Sequence, residues 1–210
     1  MRKPSAAGTM GRMGFFPPVS ESGRTYPPQP QLPEWFAPPS LEMPAVVPLD
    51  VVLAQTDRVT LAVECARVYA NGATLEVRCV RRRTDESDRE WAAQAHDHPG
   101  MRLAGLADRT SLRFGILYPD GSKALTDAEP AWPIAEAPAP RAVLRHASGS
   151  GSGGEQNRTT ELSLWLWPLP APGPHRLVAE WQAADIGESS MEFDGALLRS
   201  AAERARPYWA

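Results

Sequence analysis

The sequence predicts an all-β fold: an immunoglobulin-like antiparallel β-sandwich with a Pro-rich N-terminal arm and a short C-terminal α-helix. Three observations carry that prediction. About eight short segments alternate apolar and polar side chains, the period-2 signature of strands with one buried face. Turn signals separate them at short intervals, as in a sandwich and unlike strands that alternate with helices. Half of the 22 prolines precede Leu49, so the chain opens as an arm outside the core.

Residues 1–44 form that arm. Proline lacks an amide donor and fixes φ, so PPQPQLPEWFAPP excludes helices and central strands and leaves polyproline II and turns. Residues 1–30 cannot bury enough apolar surface to offset their ordering entropy, so folding does not need them. Trp35 and Phe36 are different, because aromatics in an extended arm dock on a surface.

The sandwich is expected over residues 45–194. Val47, Leu49, Val51 and Leu53 alternate in its first strand, and Pro48 places that strand at an edge. VTLAVEC and LEVRC follow, joined through the turn YANG. A three-residue loop of Ala70, Asn71 and a left-handed Gly72 would pair Cys65 with Val77 and Val63 with Cys79 inside. The same register sets Glu64 opposite Arg78 outside. It makes Cys65 and Cys79 buried diagonal neighbours, kept as thiols in a reducing cytosol.

Leu112, Phe114, Ile116 and Tyr118 alternate into Pro119-Asp120-Gly121, where Pro suits the first turn position and Gly the left-handed one. Further strands are expected at 141–146, 161–167, 175–181 and about 188–193. Two loop insertions interrupt them: a charged stretch at 84–110 and a flexible Gly/Ser hairpin tip at 147–158. Over residues 195–206, Asp194 as N-cap and the narrow stripe Leu197, Leu198, Ala201 and Ala202 predict the helix.

The stretch LWLWPLPAPGPHRLVAEWQAADIGESSMEFDGALLRSAA, with PEWFAPP and the strand pair around YANG, resembles an uncharacterised family of actinobacterial β-sandwich proteins. The resemblance spans roughly residues 33–205. It implies a β-sandwich with a polar loop insertion and a GC-rich genome, and it implies no activity and no catalytic residue.

Charge and composition narrow the function classes. Net charge is −3 and the pI about 5.8, far from the basic footprint of a nucleic-acid binder. Arg outnumbers Lys twenty to two, which fits codon bias in a GC-rich genome. The run Arg81-Arg82-Arg83 is followed by Asp85, Glu86, Asp88 and Glu90, so it reads as a solvated strand end beside a mixed-charge loop. Arg2 and Lys3 are followed by glycines and prolines where a signal peptide has its apolar stretch, and no run has the length of a membrane span. A cytoplasmic location is expected, with neither nucleic acid nor membrane as a partner. Two cysteines are too few for a disulfide framework.

Several motifs match only on paper. Gly149, Gly151 and Gly154 spell a dinucleotide fingerprint, but a strand follows them where a phosphate-binding helix is needed. His96 and His98 flank Asp97 in a loop before Pro99. Adjacent loop residues rarely converge on one ion, so they are expected to be exposed and not metal ligands. Asn157-Arg158-Thr159 is a glycosylation sequon without consequence in the cytoplasm. The carboxylate pairs Asp85/Glu86 and Asp57/Glu64 carry nothing that would separate their pKa values for acid–base work. No catalytic residue, cofactor or metal site is therefore expected.

The tryptophans are the most specific feature. Leu162, Leu164 and Leu166 share one face of ELSLWLWPLP, and Trp165 and Trp167 share the other. Two apolar faces fit a covered outer face, a partner surface or a sugar-stacking platform. Cover by the chain itself is expected, from the arm at Trp35 and Phe36 or the helix after Gly195, because exposed indoles beside Trp181 would form a patch that soluble monomers seldom tolerate. The functional expectation is a non-enzymatic interaction or scaffold module with an unknown protein partner, its binding residues drawn from Trp35, Phe36, Trp165, Trp167 and Trp181. A small-ligand or carbohydrate-binding sandwich is the second reading, and a metal-dependent hydrolase on the His96/His98 loop the third.

Overall fold

The computed structural model describes residues 32–93, 111–126 and 140–209. The larger of its two main sheets contains β2 (Ala45–Gln55), β3 (Val59–Val68), β4 (Ala73–Arg82), β7 (Val143–Gly153) and β8 (Asn157–Trp167), in spatial order β2-β3-β4-β8-β7. The smaller contains β5 (Arg113–Leu117), β6 (Lys123–Leu125), β9 (Pro174–Trp181) and β10 (Ile186–Asp194), in order β10-β9-β5-β6. A separate ribbon pairs β1 (Glu42–Met43) with β11 (Arg206–Pro207). Two short α-helices, α1 (Asp88–Ala93) and α2 (Gly195–Ala202), and a 3-10 turn at Gln182–Ala184 complete the described elements.

All pairings are antiparallel. Lettered as in immunoglobulin domains, β3-β4-β8-β7 is A-B-E-D and β10-β9-β5-β6 is G-F-C-C′, with β2 added outside A. The predicted immunoglobulin-like sandwich is thus present in its strand order. Its core interleaves Leu61, Val63, Leu75 and the Leu162/Leu164/Leu166 row with Phe114, Ile116 and Leu177 from the facing sheet.

Local signals place several elements as expected. Pro48 lies on β2, an edge strand, where its missing donor costs no ladder bond inside the sheet. Gly121 has φ 80°, and the turn closes with the Tyr118 amide donating to the Ser122 carbonyl at 2.9 Å. Asp194 caps α2, its carboxylate accepting from the Ala196 amide at 2.8 Å and the Gly173 amide at 2.9 Å. Those two donors hold its carboxyl below the ordinary range.

The crossover from β8 to β9 has a device of its own. His175, fully buried at the start of β9, lies with Nε2 2.8 Å from the Ala171 carbonyl. A carbonyl only accepts, so Nε2 carries the proton. The ring stacks on Phe193 and meets Tyr118 edge-on. This histidine holds the corner that a tyrosine hydroxyl holds at the same place in immunoglobulin domains.

Six expectations need correction. The β3–β4 register is Leu61 with Cys79, Val63 with Val77 and Cys65 with Glu76, not Cys65 with Val77. A β-bulge between Val63 and Cys65 inserts one residue and switches the inward row from Leu61/Val63 to Ala66/Val68. Cys65 therefore faces outward and half-buried, while Cys79 is buried inside, so the two thiols are not neighbours. Glu64 still reaches Arg78 as an ion pair. Gly72 is not left-handed either: the tip is Ala70-Asn71, with the Tyr69 amide donating to the Gly72 carbonyl at 2.8 Å.

Residues 147–158 are not a flexible tip. β7 and β8 stay paired out to Gly153 opposite Arg158, because Ser/Gly alternation is itself period 2 and the ladder needs only backbone. Ser148, Ser150 and Ser152 sit on one face, Gly149, Gly151 and Gly153 on the other. The 84–110 stretch is not all loop, since α1 forms there; Trp91 donates from Nε1 to the Gly154 carbonyl at 2.9 Å, under the Arg158 guanidinium. Finally, α2 stops at Ala202, and Arg206–Pro207 leaves for the ribbon with β1.

Candidate functional site

Trp165 sits on the outer face of the larger sheet, opposite in sense to Leu164 and Leu166. Its cross-strand partners there are Thr74 on β4 and Arg145 on β7, and Trp167 pairs with Val143. Trp165 is fully buried and Trp167 half-buried. The indole has room because the neighbour at the hairpin tip is a glycine: a Cβ on Gly72 would lie 2.4 Å from Trp165 Cη2. Tyr69 meets the indole edge-on at 5.8 Å, and Trp165 Nε1 has no hydrogen-bond partner among the described residues.

The arm lies on this face. Phe36 sits over the Arg145 guanidinium, 3.6 Å from ring centroid to carbon, beside Trp165. Trp35 is buried and stands edge-on to Phe36 at 5.9 Å, and the Phe36 amide closes a turn onto the Pro33 carbonyl. The second candidate cover does not serve here: Leu198 and Ala201 of α2 join the inner core among β2, β3 and β10. The chain itself therefore covers Trp165: Tyr69 and the Gly72 tip lie against the indole, and the arm packs on Arg145, its cross-strand neighbour.

Trp181 does not belong to this cluster. The Pro-rich crossover carries the chain into the smaller sheet, so Trp181 on β9 faces the core beneath Arg81. Sequence adjacency of β8 and β9 suggested one aromatic surface, and the change of sheet divides it. His96 and His98 lie outside the described residues.

Beyond the arm the cluster opens to solvent. The Glu42 carboxylate accepts from the Ala70 amide at 2.6 Å and ties the β1–β11 ribbon to the hairpin tip. The Tyr208 amide extends the ribbon by donating to the Leu41 carbonyl at 3.0 Å. Cross-strand pairing puts Leu41, Met43, Arg206 and Tyr208 on one face, with Trp209 against Tyr208 at 5.9 Å. Leu41 is 66% exposed, Tyr208 48% and Trp209 72%. Burial raises the Tyr69 phenol pKa. Sequence reasoning passed over this surface, although PYWA after the helix carries two adjacent aromatics.

In the mixed-charge loop Arg58 pairs with Asp85 and Glu86, and Arg83 with Asp88. The Thr84 amide holds the Glu86 carboxyl below the ordinary range. Every carboxyl shift resolved among the described residues is downward. Among those residues no three His, Cys, Asp or Glu side chains cluster to hold a metal ion. Comparison with family models, curated proteins and solved structures finds no match for the chain.

Proposed function

We propose that this protein is a non-enzymatic interaction module of the cytoplasm that docks a protein partner through the β1–β11 ribbon. The observation that carries the reading is the exposure of Leu41, Tyr208 and Trp209 side by side, next to an aromatic cluster that the chain has covered. Large aromatics such as these on a two-stranded ribbon are the residue types that anchor interfaces. The partner that fits presents an apolar groove for the Tyr208–Trp209 pair and an acidic rim for Arg206. Trp35, Phe36 and Trp165 then act as the support that fixes the ribbon's position and do not themselves touch the partner. The free thiols Cys65 and Cys79 suit a reducing compartment.

Affinity capture with the wild-type chain and with Tyr208→Ser/Trp209→Ser tests the reading. A partner held by the wild type should be lost from the variant, since an aromatic hot spot contributes about 2 kcal/mol or more. A partner retained at full strength by the variant refutes the ribbon as the docking site.

A further inference from the structure

The outer face of the smaller sheet carries a charge pattern with its own symmetry. Across strands β6, β5, β9 and β10 one outward row reads Lys123, Leu117, Arg176, Glu192. The next reads Leu125, Gly115, Val178, Ser190, and a third pairs Arg113 with Glu180 as an ion pair. The middle row has a hollow at Gly115, where Leu125 closes in so far that an added Cβ would lie 2.8 Å from its Cδ2. Leu117, Leu125 and Val178 line a depression of about 250 Å³ around that glycine. Leu125 is largely exposed, and neither Lys123 nor Glu192 has an ion-pair partner among the described residues.

We propose that this face pairs with the same face of a second copy of the chain, about a two-fold axis running along the strands between β5 and β9. Rotation about that axis exchanges β6 with β10 and β5 with β9. Lys123 then stands over Glu192 of the other copy, and Glu192 over its Lys123. Val178 packs into the depression that Leu117 and Leu125 line beside the other copy's Gly115, twice. Arg113 stands over the other copy's Glu180, and Glu180 over its Arg113, in an alternating ring of four charges. The outer pair of the first row and the Arg113/Glu180 pair are charge-complementary to themselves reversed, which is what a two-fold interface requires, while the aliphatic stem of Arg176 lies over the other copy's Leu117. A two-fold axis laid across the strands instead would set Glu192 against the equally exposed, acidic Glu188, so the charges choose the first arrangement.

The footprint is small. Four strands about 4.8 Å apart and five residues at about 3.4 Å each span roughly 20 Å by 17 Å, below the about 800 Å² per partner of a standard interface. The dimer is therefore weak, reversible and salt-sensitive. The proposal is independent of the ribbon and of its partner.

Sedimentation equilibrium of the full chain from about 10 μM to 1 mM at low salt tests it. The average mass should climb from 22.9 kDa toward twice that value and fall back when salt is added. Lys123→Glu should weaken self-association about tenfold or more. Lys123→Glu/Glu192→Lys should restore it. Those two positions lie about 14 Å apart in one chain, too far to pair within it, so restoration reports contact between copies. A chain that stays monomeric throughout, a dimer unchanged by Lys123→Glu, or a double variant that stays weak each overturns the proposal.

Discussion

Gly72→Ala should destabilise the protein although it looks like the mildest of substitutions. Gly72 does not occupy the left-handed region, so alanine fits its backbone and the only obstacle is space. The added Cβ would lie 2.4 Å from Trp165 Cη2 and 2.7 Å from both Trp165 Cζ2 and the Leu166 carbonyl oxygen. Carbon atoms rest about 3.5–4.0 Å apart, so the overlap is about 1 Å. Leu166 is paired with Ala73 in the β4–β8 ladder, and Trp165 is fully buried against Tyr69, so neither neighbour can withdraw cheaply. Overpacking of this kind costs about 1–3 kcal/mol. Replacing glycine also restricts the unfolded chain, which returns about 0.4–1 kcal/mol. The net loss is about 1–2 kcal/mol, a Tm decrease of roughly 2–8 °C for a chain of this size. Urea and thermal unfolding measure it. The clashing atoms belong to the six-membered ring of the indole, so in a Trp165→Phe background the same change should cost at least about 0.5 kcal/mol less. A neutral or stabilising Gly72→Ala, or an equal penalty in both backgrounds, refutes the reasoning.

Other substitutions separate residues that the sequence treats alike. Leu198→Ala should cost about 2–5 kcal/mol because Leu198 is fully buried, whereas Leu197→Ala, at 48% exposure, should stay within about 0.5 kcal/mol; equal effects in chemical denaturation would move α2 off the core. Cys65 should react with a thiol reagent well before Cys79, whose thiol burial pushes up to about 12 from 9.0, and simultaneous labelling would contradict that placement. The same shift sets an alkaline limit. The unfolded chain releases the Cys79 proton near 9.0 and the folded chain not until about 12, so stability is full below that window and falls as pH rises through it. Burial likewise pushes the Tyr118 phenol to about 12 from 10.0, which steepens the fall above 10.0; a flat denaturation midpoint between those limits would refute both assignments. His175→Phe keeps the ring stack but removes the donor to the Ala171 carbonyl, and should cost about 1–3 kcal/mol by unfolding assays, with no loss meaning that the corner holds without it.

Sequence alone determined the features that depend on neighbours along the chain. Period-2 alternation identified every strand but the short β1, β6 and β11, Pro48 marked an edge, Pro119-Asp120-Gly121 specified its turn, and Asp194 its cap. Each follows from sterics or hydrogen bonding within a few residues, so no distant contact was needed to read it. Tertiary structure decided everything that depends on which surfaces meet. The bulge at Glu64 is invisible locally, because Leu61, Val63 and Cys65 continue an unbroken apolar alternation; only burial of Ala66 and Val68 inside, and room for Trp165 above Gly72, select the slipped register. Trp165 and Trp181 read as one aromatic surface until the crossover sent β9 to the other sheet. The arm and the helix both had apolar side chains to bury, and sequence could not choose between them as the cover for Trp165. The fold chose by geometry: α2 leaves β10 at the level of the core and fills it with Leu198, while the arm enters on the outer face where Arg145 receives Phe36. Alternation specifies that a face is buried, and only the path of the chain through space specifies what buries it.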